Sequence, residues 1–381
     1  MSNGVFSQLA NRGIQGLATY EPGLPIEEVA RELGFGSVDE ITKLASNENS
    51  LGPSPLALNV MRTYADQMHR YPDGSAFFLK RAIAAHLDVQ PENVLPGNGS
   101  NELIEFLGHV FLRPGRNIVM ADRAFAVYRL VAAMFGAEVR DVPMARYVHD
   151  LDAMHDAIGP ETSMVFIANP NNPTGTAVQA DALARFVDRL PDGVICCLDE
   201  AYVELLPEED QMQSLAFVRE GRPVVVLRTF SKVYGLAGLR VGYAIAPVEC
   251  IQLLNRVRQP FNVNAMALKA AEAALGDVEH VQQTRDLVRN ELGFFYGELD
   301  LLGIDYVPSS ANFLLIRTGQ GREVFDRLQR EGVIVRPMDV YGLPDHIRIT
   351  VGTREENQRC ILALATVLQS VAQNAASGSG E

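Results

Sequence analysis

What most constrains this chain is a recurring pattern. Short apolar runs end abruptly in polar or glycine-bearing clusters, and segments of helical period separate them. The runs are Asn117–Ala121 (NIVMA), Ser163–Ala168 (SMVFIA), Val194–Leu198 (VICCL), Val224–Leu227 (VVVL) and Gly242–Ala246 (GYAIA). Each is apolar at consecutive positions, as a strand must be when helices cover both faces of its sheet. Between them, Asn101–Leu112 places apolar residues at 103, 104, 106, 107, 110 and 111, the spacing of one helix face. Leu56–Met68 and Leu183–Leu190 read as helices in the same way. Strands alternating with helices predict an α/β domain over 45–265, built on a mostly parallel central sheet flanked by helices.

Beyond Asn262 the pattern changes. One long helical stretch runs from Ala265 to about Leu302. Strands follow near Ile304–Val307, Phe313–Ile316, Val333–Val335 and Ile347–Val351, with helices at Glu323–Arg330 and Glu355–Val371. This predicts a smaller α+β C-terminal domain over 266–371. Gly13, Gly16, Pro22, Gly23 and Pro25 break up the start of the chain, so 1–44 reads as an arm with a contribution to the small domain. The end, 372–381, has the composition of a flexible tail.

Charge narrows the function. With 33 basic and 47 acidic residues the formal charge is −14, which argues against nucleic acid and anionic membrane as partners. The longest apolar runs fall well short of the ~20 residues of a spanning helix. The N-terminus lacks a basic segment followed by an apolar core, so the expectation is a cytoplasmic protein. Cys196, Cys197, Cys250 and Cys360 show neither a disulfide framework nor a zinc pattern, and the seven histidines show no ligand spacing. No metal is expected.

Four segments carry chemistry. In Thr229–Tyr243 (TFSKVYGLAGLRVGY), a strand is followed by Thr229, Ser231 and Lys232, and Arg240 comes eight residues after the lysine. Two hydroxyls, an amine and a guanidinium at one strand end suit a phosphorylated aldehyde bound through its carbonyl. Asn169–Gly175 (NPNNPTG) is a turn at the carboxyl end of another strand, where open α/β sheets bind ligands. Asp199–Tyr202 (DEAY) closes a third, and a carboxylate there could hold a ring nitrogen protonated. Gly97–Glu102 (GNGSNE) opens a helix, a natural phosphate seat. Taken singly, each also has a bland reading as a turn, cap or solvated strand end.

In this order, together with LASNENSLGPSP at 44–55, RYPDG at 70–74 and HIRITVGT at 346–353, the segments resemble the histidinol-phosphate aminotransferase family, pyridoxal-phosphate-dependent transferases of fold type I. The resemblance spans about Tyr20 to Leu368. It implies pyridoxal 5'-phosphate as cofactor, carried covalently on Lys232, which would also shuttle a proton. Asp199 would pair with the ring nitrogen, Asn172 and Tyr202 would bond its phenolic oxygen, and Phe125 would stack on the ring. Gly99, Ser100, Asn101, Thr229, Ser231 and Arg240 would hold the phosphate. Tyr71 would reach the phosphate of the neighbouring subunit, implying a homodimer. Tyr20, Asn312, Arg336 and Arg348 would line the substrate pocket, Arg348 on a carboxylate and Arg336 on the amino donor's phosphate. The implied reaction moves an amino group between L-histidinol phosphate and 2-oxoglutarate; the nearest alternative donor is phenylalanine or tyrosine. Phe125 stands where the family often has tyrosine.

Overall fold

The structure is a computed structural model and describes residues 4–10, 12–15, 17, 25–211 and 213–378. Its strands are β1 (Thr42–Lys43), β2 (Val94–Gly97), β3 (Asn117–Ala121), β4 (Glu138–Val142), β5 (Thr162–Ala168), β6 (Ile195–Asp199), β7 (Val224–Thr229), β8 (Gly242–Ile245), β9 (Tyr306–Val307), β10 (Phe313–Arg317), β11 (Val333–Ile334), β12 (Arg336–Pro337) and β13 (His346–Thr350). Seven of them form one sheet in the order β2-β8-β7-β6-β5-β3-β4. Neighbours from β7 through β4 are parallel, while β8 runs antiparallel to both β7 and β2.

Alternation within the apolar runs divides the core. Val165, Ile167, Cys196, Leu198, Val224 and Val226 face one layer, with helices Phe77–Leu87, Ala180–Asp188 and Ala265–Leu275. Met164, Phe166, Cys197, Val225 and Leu227 face the other, with helices Ser100–Phe111, Ala126–Met134 and Val248–Val257. The side-chain period of two sends the adjacent Cys196 and Cys197 to opposite faces. Both are free and fully buried, and burial pushes both thiols upward, so neither is a ready thiolate.

A second sheet, antiparallel and ordered β12-β13-β10-β9, has its own core of Leu314, Ile316, Ile347 and Ile349 against Phe295, Leu299, Val324 and Leu364. Near the N-terminus, β1 pairs in parallel with β11, tying residues 42–43 to this smaller body.

One sequence expectation needs correcting. The stretch from Ala265 to Leu302 is two helices, Ala265–Leu275 and Val278–Leu302, interrupted at Gly276 and restarted by Asp277, whose carboxylate accepts from His280 N at 3.3 Å. An Asp N-cap competes with helix continuation because it satisfies the next helix's orphan N–H groups. The first helix packs on the large sheet and the second on the small one. In the arm, Val5–Leu9 and Arg12–Gln15 are short helices. At the other end the last helix runs from Arg354 to Gly378, into the segment read as a tail; no proline interrupts it, and alanines favour its continuation.

Candidate active site

Parallel strands place all their carboxyl ends on one sheet edge, and here a cavity opens at that edge. β5, β6 and β7 are adjacent at the centre, with Ala168 beside Asp199 and Asp199 beside Leu227 in register. Their ends deliver the Asn169–Gly175 turn, Asp199, and Thr229 through Lys232 to one cavity of about 470 Å³. Ser100, Asn101, Phe125, Asn172, Tyr202, Arg240, Arg336 and Arg348 line it too. The four motifs are dispersed in sequence and contiguous in space.

One corner is a cradle for an anion. Gly99 has φ +83°, a conformation that favours glycine, and a Cβ there would fall 2.7 Å from Arg240 Nη2. Gly242 is equally constrained, its imagined Cβ only 2.9 Å from Ser100 N. These two glycines let the start of helix Ser100–Phe111, with its unpaired N–H groups, lie against the arginine. Arg240 itself has φ 56°, and its Nη1 donates to Ala237 O at 3.1 Å. Thr229 Oγ1 accepts from Ser231 N at 3.1 Å and donates to Ser231 Oγ at 3.0 Å, fixing both hydroxyls at the cavity wall. Helix N–H groups, guanidinium and hydroxyls form a donor set suited to a phosphate monoester.

The floor is suited to a cationic ring. Asp199 is 5% exposed; its Oδ2 accepts from the Tyr128 hydroxyl at 2.7 Å and its Oδ1 from Ala201 N at 3.2 Å. Burial raises its pKa to about 6, and these two hydrogen bonds oppose the rise. At neutral pH it is mostly a carboxylate, able to stabilise a proton on a nitrogen. Tyr202 OH accepts from Asn47 Nδ2 at 3.0 Å, and Asn172 Oδ1 accepts from Arg348 Nη1 at 2.5 Å.

Lys232 reaches into the cavity with Nζ donating to Asn47 O at 3.2 Å and lying 5.6 Å from the Tyr202 ring centre. Burial first, then the Arg348 guanidinium, push this ammonium down to about 8, with Arg240 adding to the effect and Glu48 and Asp199 opposing it. It is thus an amine that can be neutral near physiological pH. Across the cavity, Arg336 and Arg348 are direct cross-strand partners on β12 and β13. Arg348 Nη2 donates to Ala45 O at 2.8 Å. The donor set as a whole fits a phosphorylated pyridine aldehyde on the lysine side, with two guanidiniums facing it.

Not every expected residue lies here. Asn312 is buried behind the cavity; its Nδ2 donates to Asn47 O at 3.1 Å and Glu48 O at 3.2 Å, so in this structure it braces the 45–48 loop instead of lining the large pocket. Tyr71 stands 84% exposed, stacked on Phe261 with ring centres 4.9 Å apart, and does not line the cavity. Tyr20 lies outside the described residues. Conversely, the sequence reading assigned no role to Asn47, Glu48, Tyr341 or Tyr128, which also line the pocket. Asn47 and Glu48 lie within LASNENSLGPSP and Tyr128 three residues after Phe125, but nothing local distinguishes a wall residue from a core one. Among the described residues no group of His, Cys, Asp and Glu could hold a metal, and no helix is long and apolar enough to cross a membrane.

Comparison with known proteins agrees with this geometry. The family described as aminotransferase class I and II matches residues 39–364. Histidinol-phosphate aminotransferase 1 of Nitrosococcus oceani is 45% identical over 370 residues, covering 97% of this chain and 99% of that protein. The histidinol-phosphate aminotransferase of Moorella thermoacetica is 47% identical, covering 93% and 92% respectively. Among solved structures, that of histidinol-phosphate aminotransferase from Sinorhizobium meliloti in complex with pyridoxal-5'-phosphate superposes with a TM-score of 0.87 at 28% identity, covering 95% of this chain and 98% of that one. The chain belongs to the class I and II aminotransferases, and within them to the family of these histidinol-phosphate aminotransferases.

Proposed function

We propose that this protein transfers an amino group between L-histidinol phosphate and 2-oxoglutarate in histidine biosynthesis, as a cytoplasmic homodimer. The observation that carries the reading is the in-register pair Arg336 and Arg348 opposite Lys232. Two guanidiniums on one wall suit a pair of substrates that present a phosphate in one half-reaction and carboxylates in the other. An aromatic amino acid donor would present a carboxylate and no phosphate to Arg336, and the names of the relatives speak for the phosphorylated donor. For the dimer, Tyr71 and Phe261 are exposed beside Phe77 and Phe78, which are 50% and 57% exposed. Aromatic surface of that kind suits a second copy whose cavity Tyr71 completes.

Bound pyridoxal phosphate supplies the electron sink that weakens the Cα–H bond of the amino donor. The chain's residues do the rest. Gly99, Ser100, Asn101, Thr229, Ser231 and Arg240 would hold the phosphate, Asp199 would keep the ring nitrogen cationic, Asn172 and Tyr202 would bond the phenolic oxygen, and Phe125 would stack on the ring. Lys232 would hold the cofactor through Nζ, and the same amine would serve as the base for the Cα proton and the acid that returns it.

Two experiments test this. Arg336→Gln should lower kcat/KM for histidinol phosphate about 10- to 100-fold, the worth of one charge-assisted contact, while the glutamate half-reaction stays within threefold. Equal losses for both substrates, or a wild-type enzyme that prefers phenylalanine, would remove the phosphate assignment. The apoprotein offers a second check. Only the neutral amine condenses with a carbonyl, so the rate of pyridoxal phosphate uptake should rise with pH and level off with a midpoint near 8. A rate still climbing toward pH 10, where a free lysine titrates at about 10.4, would mean that burial and the arginines do not act on Lys232.

A further inference from the structure

Below the expected ring site lies a residue that neither the sequence motifs nor the family comparison assigns. Tyr128 is completely buried, stacked flat on Phe166 at 4.6 Å between ring centres and set edge-on to Phe125 at 5.7 Å. A buried phenol must find an acceptor, and this one finds a carboxylate: its O–H donates to Asp199 Oδ2 at 2.7 Å. Phe125 caps helix Ala126–Met134 and Tyr128 stands one turn further in. One short segment therefore supplies both an aromatic wall for the cavity and the donor beneath Asp199.

We propose that Tyr128 is a positioning residue for the ring nitrogen, acting through Asp199: its O–H keeps that carboxylate ionised and fixed in orientation. The proposal rests on the cofactor-binding reading above. Asp199 sits where burial disfavours charge, and its surroundings are divided. Glu200, next in the chain, repels it, and Lys232 attracts it across the cavity. Cys197 and Tyr202 lie close by, and burial raises both, so they stay neutral and donate no charge. Apart from the single N–H of Ala201, the Tyr128 hydroxyl is the hydrogen-bond donor that offsets this burial. A donor aimed at the ionised form favours that form, and a group hydrogen-bonded behind a ligand-contacting side chain commonly sets its basicity. Tyr128 itself has no competing base to ionise it: burial and the Asp199 charge push its own titration well upward, so it remains a donor throughout the working range.

The test is Tyr128→Phe, which keeps the ring and the stack on Phe166 and removes only the hydroxyl. In apoprotein carrying 13C-labelled aspartate carboxyls, the Asp199 signal should titrate at least one pH unit higher than in wild type. In the loaded enzyme, the 15N signal of a labelled cofactor ring should move toward the neutral pyridine position. The acid limb of the kcat profile should shift to higher pH and kcat fall about tenfold or more, with KM for the amino donor nearly unchanged. A Phe166→Leu variant disturbs the same packing and leaves the hydroxyl, so it should move neither resonance. Should Tyr128→Phe not fold, 3-fluorotyrosine at position 128, a stronger donor of the same shape, should move the Asp199 midpoint downward. An unmoved Asp199 midpoint in the folded Tyr128→Phe variant, or in its place an unmoved midpoint with 3-fluorotyrosine, would overturn the proposal. A wild-type protein that binds no pyridoxal phosphate would overturn the parent reading instead, and the two outcomes are separately visible.

Discussion

Lys232→Ala should lose at least about 10⁴-fold in turnover and keep its fold, because two functions reside on one nitrogen. Positioned proton transfer alone is worth roughly 10²–10⁴-fold, and loss of covalent attachment adds to it. The fold should survive since the side chain projects from the end of β7 into a cavity, and the core beneath it is made by Val224 through Leu227 on the other side of the strand end. Removing a partly buried ammonium also leaves no carboxylate without its hydrogen bond, since its own hydrogen bonds are to the carbonyls of Ser46 and Asn47, and Asn47 O keeps the bond from Asn312 Nδ2. Turnover within tenfold of wild type, in a preparation shown free of wild-type protein, would sink the assignment. The same variant also tests the dimer. In a hybrid of Lys232→Ala with Tyr71→Ala, one site carries both defects and the other neither, if Tyr71 serves its neighbour. With random exchange half the dimers are hybrids and half of their sites intact, so activity should recover toward about a quarter of wild type. No recovery after exchange is verified would place Tyr71 in its own subunit's chemistry or in none.

The central sheet was readable because β3, β5, β6 and β7 each carry four or five consecutive apolar residues, a signature that burial on both faces imposes and little else does. β4 (EVRDV) was not, because at the sheet's edge only Val142 is buried and the run looks like a loop. β2 was hidden by Pro96, a residue tolerated here because the strand has only one neighbour. At the site, residues sitting at strand ends or helix starts could be found, since a polar group directly after an apolar run is conspicuous. Asn47 and Tyr128 could not. Asn47 gains its meaning from contacts with Tyr202 and Thr350, far off in the chain, and Tyr128 occupies a helix position where any aromatic would satisfy the pattern. The position of Asn312 outside the large pocket has the same origin: side-chain direction just before a strand depends on which loop packs over it, here residues 45–48.

Asp199→Asn should cost turnover about 10³-fold while leaving the empty protein more stable than wild type near pH 8. The substitution is isosteric, and the one amide oxygen can still accept from Tyr128, while the NH2 in place of the other oxygen gives up the long 3.2 Å bond from Ala201 N. What disappears is the negative charge, and with it the stabilisation of a proton on the ring nitrogen; a single electrostatic stabiliser aimed at a reacting group is worth about 10²–10³-fold or somewhat more. The stability effect follows from the sign of the pKa shift. The carboxyl titrates at about 6 in the folded protein against 3.8 for the ordinary group, so the folded state binds the proton more readily than the unfolded chain. Whatever stability this group contributes is therefore present at low pH and lost as pH rises through 6, leaving a buried charge that costs up to roughly 3 kcal/mol above it. Asn carries no such charge. Urea unfolding of the two apoproteins should show the variant ahead at pH 8 and the gap closing below pH 4. A variant less stable at both pH values would mean that the carboxylate is fully compensated by Tyr128 and Ala201. The expected pattern instead marks Asp199 as a charge that the fold tolerates at a cost because a cationic ring needs it.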